Sequence, residues 1–394
     1  MSKIFDLINE LCPDGVEFRE LGEIFQRIKG TNITANKMKE IEVHGGDIRI
    51  FAGGKTVIDT IEDKIQNPNI TRVPSVIVQS RGVIDFIYYD KPFTFKNEMW
   101  GYTSENETSI KFLYYYLKNN ISYFRAASIS MGALPQISLP ITEKFKLPVP
   151  PMEVQREIVR ILDSFTLLTA ELTAELTARK KQYEFYRDFL LSFDELDKNG
   201  GGCELKMLGD IGEVRMCKRI LKEQTSANGE IPFYKIGTFG KEADAYISKE
   251  LFDEYRSKYS YPKIGEVLIS ASGTIGRAVI FNGNDAYFQD SNIVWIENDE
   301  GQVLNRYLFY FYQIADWNIA EGGTIKRLYN DNLKKIKIPV PSLQTQQKVV
   351  DILDKFDTLV NSITEGLPRE IELRRKQYEH YRELLLNFKP KMTA

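Results

Sequence analysis

The segment Lys146-Leu-Pro-Val-Pro-Pro-Met-Glu-Val-Gln155 returns 191 residues later as Lys337-Ile-Pro-Val-Pro-Ser-Leu-Gln-Thr-Gln346. Over 146–165 and 337–356, 10 of 20 positions are identical, and over 179–193 and 374–388, at an offset of 195, 10 of 15 positions are identical. Self-similarity of this extent indicates a duplication. We therefore predict two similar halves related by a pseudo-two-fold internal repeat.

The repeated segments have the pattern of long amphipathic helices. Apolar residues recur every three or four positions, which places them on one face of a helix. Proline before each segment marks its start, and Gly366 with Pro368 should break the second one. From 152 to 193 the first helix could reach about 63 Å. The face comprises Ile158, Leu162, Phe165, Leu172, Tyr183, Tyr186, Leu353, Phe356, Tyr378 and Tyr381.

A helix of this length with a single apolar face needs a partner along it. The second copy is the obvious partner, so we predict helix–helix packing between the two segments. The alternative, in which each helix packs only on its own globular segment, stays open at this point. A tandem Thr-Ala-Glu-Leu repeat at 169–176 would lengthen the first helix by about 6 Å per copy and almost preserve its apolar face.

The segments between the helices are mixed in character. Ser75–Val78 and Glu266–Ile269 resemble buried strands, whereas Lys111–Leu117 and Asn305–Phe311 resemble short aromatic helices. We predict an α/β (α+β) fold in which two similar globular segments, 1–147 and 199–338, alternate with helical segments, 148–198 and 339–394.

Composition narrows the function. The 394 residues are 43% hydrophobic, which is typical of folded domains, and carry 52 basic against 55 acidic residues for a net charge of −3. This balance argues against binding nucleic acid through bulk charge but permits local basic faces. No stretch is long and apolar enough for a membrane span, and the first residues lack the profile of a secretory signal. Three cysteines without a CxxC motif favour a reducing compartment, so we expect a cytoplasmic protein.

The motifs of a catalytic site are missing. Two histidines, His44 and His380, are too few and too far apart for a His-based metal site. Gly53-Gly-Lys-Thr56 resembles the end of a phosphate-binding loop, but that motif needs a glycine where Arg49 stands. No Asn/Asp-Pro-Pro-aromatic motif of an amino-methyltransferase is present. We therefore predict a chain that is not an enzyme and holds no cofactor or metal.

Loops rich in glycine, basic and polar residues are the remaining candidates for function. Arginine, asparagine, glutamine, serine and threonine are the side chains that read base edges, and glycine lets the backbone approach closely. Solvated loops have the same composition, so the argument rests on the correspondence between the halves. The candidates for DNA contact are Arg49, Lys55, Thr56, Arg81, Lys96 and Asn97 in the first half, and Lys235, Thr238, Lys241, Ser272, Thr274, Arg277, Gln289, Lys326 and Arg327 in the second.

The whole layout resembles the DNA-specificity subunit of Type I restriction–modification systems. The resemblance rests on the two Pro-Val-Pro segments that end at Gln155 and Gln346, the two Lys-Gln-Tyr-Glu-x-Tyr-Arg blocks, and the Thr-Ala-Glu-Leu tandem. It implies that each globular segment is a target-recognition domain and that the helices form an antiparallel coiled-coil spacer. The double-stranded DNA target would be bipartite, with unspecified bases between two half-sites.

The resemblance also implies partners. Specificity subunits bind two copies of an adenine-N6 methyltransferase subunit that uses S-adenosylmethionine, and a motor-nuclease subunit that uses ATP and Mg can join. Two other classes stay in competition. A coiled-coil scaffold would share the repeat and bind protein without reading DNA, and a self-contained restriction or methylation enzyme would act by itself.

Overall fold

The computed structural model describes residues 2–54, 56–131, 134–199, 201–317 and 327–391. The chain divides into two compact units: unit 1 is formed by Met1–Thr173 and Ile371–Ala394, and unit 2 by Ala174–Glu370. The end of the chain thus belongs to the same unit as its beginning. The three boundaries between the four segments drawn from the sequence, after residues 147, 198 and 338, stay predictions.

The structure confirms the long helices that the periodicity of the sequence predicts. The long first helix ends at Leu190, close to the expected 193, and the second helical segment is divided in two. The α-helices are α1 Ser2–Leu11, α2 Leu21–Ile24, α3 Ala35–Ile41, α4 Glu107–Asn119, α5 Ile121–Ala126, α6 Leu139–Glu143, α7 Met152–Leu190, α8 Phe193–Asn199, α9 Leu208–Ile211, α10 Lys249–Lys258, α11 Asn305–Tyr312, α12 Asn330–Lys334, α13 Leu343–Asn361 and α14 Gly366–Leu386.

The strands are short, and those predicted at 75–78 and 266–269 are present as β5 and β16. The strands are β1 Phe18–Glu20, β2 Gln26–Lys29, β3 Ile48–Phe51, β4 Val57–Thr60, β5 Ser75–Gln79, β6 Asp85–Tyr89, β7 Phe93–Phe95, β8 Trp100–Thr103, β9 Ile129–Met131, β10 Leu134–Gln136, β11 Lys146–Pro148, β12 Cys203–Met207, β13 Glu213–Arg215, β14 Ile231–Tyr234, β15 Tyr246–Ile247, β16 Val267–Ser270, β17 Ala278–Ile280, β18 Tyr287–Phe288, β19 Ile293–Glu297 and β20 Lys337–Pro341.

The duplication is visible in the sheets. Unit 1 has a four-stranded antiparallel sheet in the order β2-β8-β5-β6, and unit 2 repeats it as β13-β19-β16-β17. A three-stranded sheet with one antiparallel and one parallel pair follows in each unit, as β4-β3-β7 and β15-β14-β18. The pairs β1–β11 and β12–β20 also correspond. We call the α/β parts the first head (2–148) and the second head (193–341).

In each unit, one hydrophobic cluster joins residues of the head to residues of both helical segments. In unit 1, Phe165 on α7 stacks on Tyr381 of α14 with ring centroids 5.6 Å apart. In unit 2, Tyr186 on α7 stacks on Phe356 of α13 at 5.7 Å. The early part of α7 thus pairs with the later helix and the late part with the earlier helix, which is the order of an antiparallel pair. The same face also covers the heads. Because α7 also stacks on α13 and α14, the alternative in which each helix packs on its own head alone is wrong.

The repeated prolines and glutamines mark the start of α7 and of α13, which together with α14 we call the spacer helices. Gln155 donates its side-chain amide to the carbonyl of Pro150 at 2.8 Å, and Gln346 donates to that of Pro341 at 2.9 Å. Both side chains are buried, and each satisfies a carbonyl of the chain that leads into its helix. The predicted break also occurs, because Gly366 has φ +74° and a Cβ there would lie 2.5 Å from the carbonyl oxygen of Thr358.

An aspartate ties each head to its spacer helix. In unit 1, Asp163 on α7 accepts hydrogen bonds from the Tyr115 hydroxyl at 2.6 Å and the Lys111 ammonium at 3.0 Å, both on α4. Burial, and then this hydrogen bond to a carboxylate, raise the pKa of Tyr115. The result is a fixed orientation of the α4 helix on α7.

Unit 2 repeats this contact. Asp354 on α13 accepts from the Tyr310 hydroxyl at 2.5 Å and from Nε of Arg306 at 2.6 Å, both on α11. Asp354 stands 191 residues after Asp163. Burial, followed by the bond to this carboxylate, raises the pKa of Tyr310 as well. We call the two arrangements the aspartate anchors.

Candidate nucleic-acid interface

Three candidate residues of the first half meet in one cleft of unit 1. Thr56, Arg81 and Lys96 come from separate loops and line a cavity of about 670 Å³. Gly53, Gly54 and Gly82 form part of its wall, together with Lys39 and Met38 of α3, which the sequence did not single out. Because glycine has no side chain, the backbone of this wall is uncovered beside the basic side chains.

Lys96 and Arg81 differ in whether a carboxylate of the protein pairs with their charge. Lys96 forms an ion pair with Glu98 at 2.9 Å. Arg81 is exposed, and within the described residues no carboxylate or other side chain pairs with its guanidinium. Asn97 is exposed beside Lys96. Lys55 lies outside the described residues.

The guanidinium of Arg49 is bound by other side chains of unit 1. Its Nε and one terminal nitrogen donate to the two oxygens of Asp59 at 2.8 and 3.0 Å, and the guanidinium lies 5.6 Å from the ring centre of Tyr89. This bidentate contact raises the pKa of Arg49 and lowers that of Asp59. Arg49 therefore joins β3 to β4, and its fork of donors is occupied.

In unit 2, three of the candidates build a turn. The hydroxyl oxygen of Thr238 accepts from the backbone N–H of Lys235 at 3.1 Å, and Oε1 of Gln289 accepts from that of Ile236 at 3.1 Å. Arg277 donates to the carbonyl of Phe239 at 2.8 Å. These side chains position the turn at 235–240, since their polar groups satisfy its backbone.

The same turn presents two lysines. Lys235 pairs with Asp244 at 2.8 Å, and exposed Lys241 lines a neighbouring cavity of about 240 Å³. Thr274 is exposed, and its carbonyl accepts from the Ser270 hydroxyl. Lys326 lies outside the described residues.

A polar cluster forms around Asn292, which the sequence did not single out. Its side-chain oxygen accepts from the Ser272 hydroxyl at 2.8 Å and from a terminal nitrogen of Arg327 at 3.3 Å. Ser272 and Arg327 are also joined by an isolated antiparallel β-bridge. The structure thus brings together two candidates that lie 55 residues apart.

The first head contains the matching bridge, between Arg81 and Gln136. Arg81 and Ser272 are 191 residues apart, as are Gln136 and Arg327. Sequence reasoning missed Gln136, although extending the offset of 191 to Arg327 would have found it. Asn292 had no such signal, because its role depends on contacts made across the fold.

The residues predicted for the helix face occupy the packing positions. Ile158, Leu162 and Leu353 are fully buried, and Tyr183 is buried with its hydroxyl donated to Gln313 at 3.2 Å. Leu172 is also buried, and Tyr378 packs in unit 1 with the guanidinium of Arg382 over its ring. The remaining four side chains form the aromatic stacks described above: Phe165, Tyr186, Phe356 and Tyr381. These side chains pack the long helices against one another and against the heads.

Other side chains of the same helices face outward. Phe185 is 64% exposed and Phe189 43% exposed, and their rings are stacked with centroids 6.1 Å apart. The equivalent positions of α14, at an offset of 195, are exposed His380 and Leu384. We call Phe185 with Phe189 the aromatic patch and His380 with Leu384 its counterpart. Exposed apolar side chains in a cluster are typical of a surface that meets another protein.

The described residues contain no group of three or more His, Cys, Asp and Glu side chains that could hold a metal ion. In the part of the chain that the structure covers, no helix is both long and apolar enough to cross a membrane. Two similar α/β heads, each with polar loops clustered in space and each anchored to a long helix, the first to α7 and the second to α13, define a class of two-headed recognition proteins.

The comparisons with known proteins specify this class. The family model for the type I restriction modification DNA specificity domain matches residues 13–179 and again 201–373. The chain belongs to this family and is a specificity subunit of a type I restriction–modification system, the component of such systems that is not catalytic. The resemblance found in the sequence is thereby confirmed.

Relatives and solved structures agree. The specificity subunit of the Escherichia coli type I restriction enzymes EcoR124I and EcoR124II is 37% identical over an alignment of 412 positions, which covers 98% of each chain. A predicted specificity subunit of Haemophilus influenzae is 58% identical over 309 residues, 75% of this chain and 77% of that one. The crystal structure of an S subunit from M. genitalium shares the fold, with a TM-score of 0.61, 18% identity, and 96% and 97% of the two chains covered.

Proposed function

We propose that the two heads each read one half of a bipartite double-stranded DNA target, and that the spacer helices set the distance between the half-sites. The observation that carries this proposal is the pair of bridges, Arg81 with Gln136 and Ser272 with Arg327. The same position of a repeated fold carries different polar side chains in the two heads, which suits the reading of two different sequences.

The aspartate anchors support the role of the helices. Hydrogen bonds to charged groups are among the stronger ones in proteins, and each anchor joins a head helix to a spacer helix through two of them. A head that is held rigidly on a helix places its loops at a set position along it. Half-site spacing then becomes a geometric property of the protein, as in other DNA-binding proteins with two reading elements.

The outward side chains of the helices support the docking of partner subunits. We propose that the aromatic patch and its counterpart each receive one copy of an adenine-N6 methyltransferase that binds S-adenosylmethionine. Equivalent positions of a duplication give two similar surfaces, so two copies of one partner can bind. A motor-nuclease subunit using ATP and Mg would join this complex.

The acidic balance of the chain fits such an assembly. With a net charge of −3, the protein gains little from bulk attraction to phosphate, so the partner subunits would supply much of the backbone contact. We place the complex in the cytoplasm, where DNA is accessible and where Cys12, Cys203 and Cys217, all free thiols, would stay reduced.

The test is a methylation map of DNA from cells that co-express this chain with its cognate methyltransferase. The expected result is a split motif with N6-methyladenine in both halves. A stable complex that leaves no modified motif would contradict the proposal and favour a protein-binding scaffold. Methyl transfer by the purified chain alone would instead show that the partner is not needed.

A further inference from the structure

The two bridges share more than their sequence offset. Next to each bridge, an equivalent backbone hydrogen bond joins the same two loops: the N–H of Ile137 donates to the carbonyl of Ser80 at 3.0 Å, and that of Leu328 donates to that of Ala271 at 2.8 Å. Both donors and both acceptors are again separated by 191 residues. The bridge and this bond therefore join the two loops at equivalent positions in both heads.

The side chains on this common backbone differ in a regular manner. Each bridge carries one arginine and one uncharged polar residue, but the arginine stands on opposite partners: Arg81 is on the first loop of its head and Arg327 on the second loop of its head. Each head thus retains a guanidinium at the bridge while its local surroundings change.

Both arginines have donors to spare. Arg81 and Arg327 are exposed, and no carboxylate of the described residues forms an ion pair with either. Arg327 makes one contact at 3.3 Å with the amide oxygen of Asn292. Arg49, by contrast, has its fork closed by Asp59. The side-chain amide of Gln136 likewise has no hydrogen-bond partner among the described residues.

We propose that the bridge is the base-reading position of each head, and that Arg81 and Arg327 each bind a guanine in their half-site. This inference rests on the proposed function and names the base class that it reads. An arginine presents two parallel N–H donors that match O6 and N7 of guanine in the major groove. Holding the loop backbone by a bridge and a second bond lowers the entropy lost when the side chain binds.

The experiment begins with the methylated motif of the unaltered complex. Each half-site must contain a G·C pair; a half-site made only of A·T pairs overturns the inference while leaving the proposed function standing. If no motif appears at all, the proposed function itself has failed. These two outcomes are therefore distinguishable.

The second step maps the motif of Arg81→Gln and of Arg327→Gln. Glutamine pairs with adenine rather than guanine, so each variant should lose roughly 5-fold to 100-fold discrimination at one G·C pair of its own half-site and shift toward A·T there. The other half-site should be unchanged. Lys91→Gln and Lys222→Gln, at exposed lysines of the same heads away from the bridges, serve as matched controls.

A third variant, Arg81→Lys, separates base reading from phosphate contact. Lysine keeps the charge but lacks the planar fork, so it should retain binding to DNA while losing discrimination at that base pair. Full retention of the motif by Arg81→Lys, or uniform weakening at all sites by Arg81→Gln, would identify a phosphate contact and overturn the inference. Loss of the complex with the methyltransferase in both variants would overturn it as well, because it would assign Arg81 a structural role.

Discussion

The two heads share the sheets, anchors and bridges that support the loops, and they differ in the side chains that the loops carry. The sheet order recurs in both heads, and the aspartate anchors and the bridges recur at offsets of 191 to 195 residues. At the bridges, by contrast, Arg81 and Gln136 stand where the second head has Ser272 and Arg327. The difference teaches that a duplicated scaffold can keep its packing while its exposed polar positions diverge, because only buried positions are constrained by close packing.

The largest effect is expected from a change in the helix that the two units share. Deleting Thr173–Leu176 shortens α7 by about 6 Å and turns it by about 400°, nearly a full turn. The unspecified spacer of the target should shorten by about one to two base pairs, since base pairs are stacked ~3.4 Å apart, and every original site should be lost.

Methylation mapping of this deletion variant checks the expectation. Both half-sites should keep their bases, because the loops of the heads are untouched. Glu175→Gln preserves the length of α7 and removes only a pairing with Arg179 at 3.5 Å, so its motif should equal that of the unaltered protein. An unchanged spacer in the deletion variant would refute the spacing role of the helix.

Matched core substitutions test whether the two units are equally packed. Leu162 and Leu353 are equivalent in the repeat and both fully buried. Leu162→Ala and Leu353→Ala should each lower the free energy of unfolding by about 2–5 kcal/mol, from lost burial and the cavity left behind. Urea denaturation measures both, and a large loss in one variant alone would show that the units are not equivalent in packing.

The aspartate anchors should have a smaller effect on stability and a specific one on spacing. Asp163→Ala and Asp354→Ala each remove hydrogen bonds to a charged group, a loss of about 1.5–3 kcal/mol in the free energy of unfolding. The freed head should tolerate targets whose spacer differs by one base pair. Methylation of a set of spacer lengths provides the measurement, and a spacer preference as narrow as before would contradict the role of the anchor.

The smallest effect is expected at the aromatic patch, where the units differ. Replacing Phe185 and Phe189 by alanine should weaken binding of one methyltransferase copy by about 1–2 kcal/mol, since exposed aromatic anchors carry much of an interface's affinity. The same replacement of His380 and Leu384 should weaken binding of the other methyltransferase copy by a smaller amount, because less apolar area is lost. Native mass spectrometry would count the bound copies; equal occupancy in all three proteins would exclude the patch as a docking surface.

The sequence by itself determined the duplication, the long helices, their proline starts, the break before Gly366 and the central strands β5 and β16. These features follow from local rules: helical periodicity, the lack of an N–H in proline and the freedom of glycine all act within a few residues. The antiparallel order of the helices came with the family resemblance, and the stacks of Phe165 on Tyr381 and Tyr186 on Phe356 agree with it.

Only the tertiary structure decided which polar side chains are free to contact DNA and which are bound within the protein. Arg49 and Arg81 look alike in the sequence, yet Asp59 occupies the donors of Arg49 while Arg81 opens into a cleft. Arg277 and Gln289 hold a turn, whereas Gln136 and Asn292 enter the bridges and their surroundings. The physical reason is that a hydrogen-bond partner is chosen by distance in space, and these partners come from loops that are far apart along the chain.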